Sequence, residues 1–128
     1  MPAQLDHLLI PSADRVAAAR LIAHLFDVPW AEQGDAGPFS PVYLNAGLTL
    51  DFDQWEPPVP RQHYAFRVEP GEFDAILARI EAKGLAYRST PNGPDDRQVN
   101  RAWVGKLLYW SEPDGHAWEI LTVSYARE

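Results

Sequence analysis

The chain of 128 residues has four histidines and no cysteine, which narrows its possible chemistry at once. Thiolate ligation, disulfides and a cysteine nucleophile are excluded, so any metal must be held by imidazole and carboxylate. Two of the histidines, His7 and His63, sit in the strand-like stretches LDHLLI and HYAFRV, and Glu119 lies in the apolar run HAWEIL. Two neutral imidazoles and one carboxylate form a donor set that Zn, Ni, Mn, Co or Fe(II) accepts while leaving positions for water and substrate. One divalent ion so held can polarise a carbonyl or enediolate oxygen, or lower the pKa of a bound water, without a protein nucleophile. Glu119 stands between Trp118 and Ile120, where an unpaired carboxylate is costly; a cation would offset that cost.

The elements that must position these groups read as one unit written twice. Leu5 to Ile10 is a strand, broken by Pro11-Ser12, with Ser12 able to cap the helix that follows. Val16, Ala19, Ile22, Ala23 and Phe26 recur at helical spacing between Ala13 and Asp27. PVYLNAG and LTLDFDQW then form a hairpin around Asn45-Ala46-Gly47, with a short strand at Trp30 to Gln33. The proline-rich EPPVPRQ is a connector. After it the order repeats: the strand HYAFRVE; a helix striped by Phe73, Ile76, Leu77 and Ile80 and ending at Gly84; and a short strand at Ala86 to Ser89. A polar loop, PNGPDDRQVN, leads to the hairpin KLLYWSE and HAWEILTVSY, which turns through Pro113-Asp114-Gly115.

Laid on one another, the halves place His7 opposite His63. Counting from Gly47 and Gly115 places Asp51 opposite Glu119. A repeat of about 50 residues in so short a chain predicts two similar modules with approximate two-fold symmetry, not a solenoid. The expectation is therefore a single α+β domain with one module over about 4–55 and the other over about 61–125. Strand parity puts Trp118, Ile120, Tyr64, Phe66 and Leu8 beneath the helices and His7, His63 and Glu119 on the opposite, concave face. Either histidine alone reads as a structural residue; chance gives no reason for both to occupy the same position of their modules. Asp51 is a possible fourth ligand or catalytic base, and Asp53 shares its face. Arg67, Tyr109 and Tyr43 are candidate substrate contacts. His24 reads as a surface residue and His116 as a shaper of the turn. The loop from Pro91 to Val104 reads as a solvated crossover.

Composition sets the remaining bounds. A formal charge of −7 disfavours nucleic acid, whose phosphates demand clustered Lys and Arg. There is no apolar run near the roughly 20 residues of a membrane-spanning helix and no secretory-type N-terminus. A cytoplasmic protein with a small-molecule partner is expected.

Several of these stretches together resemble the vicinal oxygen chelate superfamily of glyoxalase I, fosfomycin-resistance proteins, bleomycin-resistance proteins and extradiol dioxygenases. The likeness runs through LDHLLI, HYAFRV, GEFDAILARIEAKG and above all LLYWSEPDGHAWEIL, which is similar to the terminal signature DPDGHxxE with Glu112 in place of its first aspartate. The resemblance implies paired βαβββ modules curved around a concave site, one divalent ion on His7, His63 and Glu119, and a homodimer. It implies a glyoxalase-like enzyme for a small substrate with vicinal oxygens, with isomerase or lyase chemistry through an enolate-type intermediate and Glu119 or Asp51 as base. The alternatives within the same resemblance are a metal-free, drug-sequestering protein of the bleomycin-resistance kind and an extradiol dioxygenase.

Overall fold

A computed structural model describes residues 2–102 and 104–127. Its contacts divide the chain into two units, Met1–Pro60 and Arg61–Glu128. The first contains β1 (His7–Ser12), α1 (Arg15–Phe26), β2 (Ser40–Asn45) and β3 (Leu48–Gln54). The second contains β4 (His63–Arg67), α2 (Pro70–Ala82), β5 (Leu107–Ser111) and β6 (Ala117–Leu121). Each forms a three-stranded sheet in the order first, last, middle: β1-β3-β2 and β4-β6-β5. In both, the first strand runs parallel to the last and the hairpin partner runs antiparallel.

The order within each unit is βαβββ with the second strand reduced to a single bridged residue. Trp30 bridges Val42 on β2, and Arg88 bridges Tyr109 on β5. The short strands expected at Trp30 to Gln33 and Ala86 to Ser89 thus contract to one pairing each. The fold is the α+β class expected from the repeat.

Three local expectations are corrected. Strand β1 does not end at Ile10 but runs on through Pro11 and Ser12. The carbonyls of Asp6 and Ser12 accept from Thr49 and Trp55, so even-numbered residues face β3 and the missing N–H of Pro11 points away from it. Ser12 therefore does not cap α1. The Asp14 carboxylate does, accepting from Ala17 N–H at 3.2 Å, and the Ser12 hydroxyl accepts from Asp14 N–H. Finally, β6 stops at Leu121 rather than continuing through Tyr125. Its last neighbour is Lys106, which accepts from Thr122 N–H and donates its own N–H to Thr122 Oγ1.

In the first unit α1 packs on β2 and β3, with Ile10, Ile22, Leu25, Leu50 and Phe52 almost wholly inaccessible to solvent. In the second, Leu108, Trp110, Trp118 and Ile120 are fully buried. Trp118 stacks with Trp110 at 6.3 Å and with Phe66 at 6.0 Å. Each such side chain contributes roughly 1.5–3 kcal/mol by leaving water. Helix α2 buries Phe73, Ile76 and Ile80 of the stripe read from the sequence and leaves its fourth member, Leu77, half-buried. It closes with Gly84 at φ +68° and with Leu85 N–H donating to the Ile80 carbonyl, a left-handed helix stop.

Candidate metal centre

Strand β6 is central in its sheet, so every residue on it has neighbours on both sides. Glu119 pairs in register with Ala65 on β4 and Tyr109 on β5. The small Ala65 leaves space above the carboxylate, and His63, two residues earlier on the same face, fills it: His63 Nε2 lies 3.1 Å from Glu119 Oε1. Leu107, Tyr109 and Leu121 form a buried cluster on this face. Glu119 consequently has no solvent exposure, while the His63 side chain is half exposed.

The proton inventory of this pair is informative. His63 Nδ1 is 3.0 Å from the Ala117 carbonyl, which only accepts, so Nδ1 carries the hydrogen. In the neutral ring Nε2 then has a lone pair, and it faces a carboxylate oxygen. Two lone pairs at this separation repel unless a proton or a cation lies between them. The Tyr125 hydroxyl donates to Glu119 Oε1 at 2.8 Å. Glu119 Oε2 is buried and, among the described residues, has no hydrogen-bond partner. Burial pushes the Glu119 carboxyl above its usual value, against the opposing pull of Tyr125, His63 and Tyr109. Two ligands of one ion at about 2.1 Å stand roughly 3–3.4 Å apart, so the observed spacing fits a shared cation and the orphaned oxygen supplies a further donor.

The first unit repeats this register. His7 pairs with Thr49 and Leu9 with Asp51, as His63 pairs with Ala117 and Ala65 with Glu119. His7 Nδ1 lies 2.8 Å from Asp6 Oδ2, and an ionised carboxylate only accepts, so here too Nε2 is left as the donor atom toward a metal. Asp51 is buried, and burial raises its carboxyl against the opposing influence of His7. His7, Asp51 and Tyr43 line one cavity of about 380 Å³. Asp53 does not join them: its Oδ2 accepts from the Trp55 indole at 2.9 Å.

In the second unit His63 and Arg67 line a cavity of about 600 Å³, and Tyr109 is buried beside Glu119. Tyr125 and Arg127, which border the same cavity, were not anticipated from the sequence. Tyr125 has the parity of Glu119, and that is the only signal that marks it. His24 is exposed, as expected. In the loop 91–104, apart from Trp103, which lies outside the described residues, Arg97 packs over Tyr87 and Asn100 bridges Leu107.

No protein-family model matches the sequence. Among solved structures the chain is similar to the oxidase ChaP-H2, at 35% identity over 98% of this chain and 97% of that one, with a TM-score of 0.89. It is similar to the oxidase ChaP-H1 at 38% identity, over 98% of this chain and all of that one, with a TM-score of 0.85. The fosfomycin resistance protein FosX from Listeria monocytogenes shares the fold alone, at 20% identity, a TM-score of 0.69, and coverage of 98% and 94%. This chain belongs to the vicinal oxygen chelate superfamily.

The terminal signature of the superfamily, present here as EPDGHAWE, acquires a physical meaning residue by residue. Glu112 Oε1 accepts from His116 N–H at 2.9 Å and from the Trp118 indole at 3.3 Å, and Oε2 accepts from Asp114 N–H at 2.8 Å. Gly115 adopts φ +84°, a conformation that side chains resist. His116, fully buried, accepts the Gln62 N–H on Nδ1 at 3.0 Å. Glu112, Asp114 and His116 are close enough to suggest a second cation site, but both Glu112 oxygens and His116 Nδ1 are already engaged. This cluster locks the turn, as expected for His116. Of the signature, Glu119 alone faces the cavity side of the sheet with an oxygen unclaimed.

Proposed function

We propose that this vicinal oxygen chelate protein is a divalent-metal enzyme that binds a small substrate through two adjacent oxygens and oxidises it, with His63 and Glu119 as the metal ligands of the second unit. One observation carries the reading: His63 Nε2 and Glu119 Oε1 are held 3.1 Å apart beside a buried carboxylate oxygen that has no hydrogen-bond partner among the described residues. In the first unit His7 holds the corresponding register and its Nδ1 is likewise committed to an oxygen acceptor, so it is proposed as a metal ligand on the same grounds. A bound divalent ion would supply Lewis acidity toward the substrate oxygens and, in its redox-active forms, a path for electrons to dioxygen.

The remaining work falls to the chain itself. The Ala117 carbonyl holds the His63 ring in one orientation. Tyr125 keeps a hydroxyl proton at the Glu119 carboxylate, where a proton can be lent to or taken from a substrate oxygen. Asp51, with its carboxyl raised by burial, is the proton acceptor proposed from the first unit, and Tyr43 and Tyr109 are proposed substrate contacts. Oxidation is favoured over the isomerase or lyase chemistry first expected because two relatives, at 35% and 38% identity, are named oxidases.

Purified protein should carry about one divalent ion per chain, and His63→Ala and His7→Ala less than about a tenth of that. Added metal should raise Tm in the wild type and not in His63→Ala. The loaded protein should consume dioxygen with a catechol. Equal metal content in all three proteins rejects the ligand set, and turnover of a hemithioacetal without oxygen uptake rejects oxidation in favour of isomerisation.

A further inference from the structure

The cavity of the second unit carries a charge pattern that metal binding does not explain. His63, Ala65 and Arg67, alternate residues of β4, line it together with Leu121, the in-register neighbour of Arg67 on β6, and Tyr125 and Arg127 from the segment after β6. At about 600 Å³ it is of the size that takes small organic ligands. Among the described residues no Asp or Glu lines it, although the chain has 18 acidic residues against 11 basic ones. Glu119 lies beneath, wholly buried, with Oε1 accepting from Tyr125 and facing His63. Among the described residues the side chains of Arg67 and Arg127 form no ion pair or hydrogen bond. Arg67 also borders a neighbouring cavity of about 510 Å³ with Glu69 and Glu72, and it pairs with neither.

Two guanidinium groups that border one cavity of an acidic protein, unpaired among the described residues, concentrate positive potential where a ligand would enter. Guanidinium is also the group best shaped to clasp a planar carboxylate through two hydrogen bonds. Ala65 and Leu121 offer an apolar surface between these charges and His63. We infer that Arg67 and Arg127 form an anion subsite, and that the substrate is an organic carboxylate with an apolar body and an adjacent pair of oxygens. The oxygen pair is presented to the His63 end and the carboxylate to the arginine end. This rests on the metal-enzyme reading for the placement of the oxygens, while the arginine subsite stands on the cavity itself.

The test compares 3,4-dihydroxybenzoate with catechol, which has the same vicinal oxygens and no carboxylate, by calorimetric titration of the metal-loaded protein. The benzoate should bind about tenfold more tightly at low salt, with the advantage shrinking as ionic strength rises. In Arg67→Ala/Arg127→Ala the two ligands should bind alike, with catechol affinity, metal content and Tm unchanged. Arg67→Lys should keep part of the preference. Equal affinities in the wild type, a preference that survives the double substitution, or a parallel loss of catechol binding would each overturn the proposal. If the purified protein proves to bind no metal, benzoate against benzamide replaces the pair: preference for benzoate that disappears in the double variant supports the subsite, and its absence overturns it.

Discussion

At the scale of the residue, the centre is a set of constraints on one carboxylate. Glu119 was legible in the sequence because a carboxylate embedded in an apolar strand demands a partner, and His63 because its position repeats that of His7. Tyr125 was not legible: its parity matched, but the chain leaves the sheet four residues earlier, so its hydroxyl reaches Glu119 by a return path that no periodicity encodes. That contact has a measurable role. Tyr125→Phe removes the hydroxyl that donates to Oε1 and leaves the ring in place. Loss of such a supporting hydrogen bond weakens metal binding by about 10–100-fold, to be read by competition with a chelator, with Tm of the metal-free protein little changed. An unaltered metal affinity would show that Tyr125 only covers the carboxylate.

At the scale of the element, helix and hairpin patterns were read correctly and strand ends were not. Hydropathy marks α2 because its stripe recurs over three turns, and it marks the two hairpins because turn residues interrupt alternating runs. It cannot say where a strand stops, since that depends on the partner: β6 ends where β5 begins, at Leu107 opposite Leu121. Nor does it rank two caps two residues apart, so Ser12 and Asp14 are indistinguishable until the path of β1 is known. Gly84 is a position where sequence and geometry agree. At φ +68°, with nothing within 4 Å of an added Cβ, its replacement by alanine meets backbone strain and no clash. Gly84→Ala should therefore cost about 1 kcal/mol, measured by denaturant titration with an unchanged m-value.

At the scale of the whole chain, the repeat is the most informative feature: both units set a histidine on the first strand two residues before the one that faces the buried acid of the last. Global stability adds a separate signature. The Tyr64 phenol packs 4.8 Å from the Trp118 ring, and burial first, then the negative charge of Glu112, pushes it up to about 12 from an ordinary value of 10.0. A raised acid is stabilising in its protonated form, so its contribution is complete below pH 10 and is lost as the pH climbs toward about 12. Tyr64→Phe keeps the ring and removes the titration, so its stability should fall less steeply across that window when Tm is followed against pH. Equal slopes in the two proteins would mean that Tyr64 ionises as freely folded as unfolded.

The turn lock gives the cavity one unyielding side. Because His116 holds the Gln62 amide, the start of β4 is tied to the β5–β6 turn, and the ring of His63 hangs from the same corner. Beyond Thr122, which exchanges hydrogen bonds with Lys106, the segment 123–127 is tied to the sheet chiefly through Tyr125 and Glu119. Changes of side chain at Ser124, Ala126 and Arg127, which line the hollow, can reshape what it admits while the ligand-bearing corner stays put, so altered substrate preference is most cheaply evolved, or engineered, there.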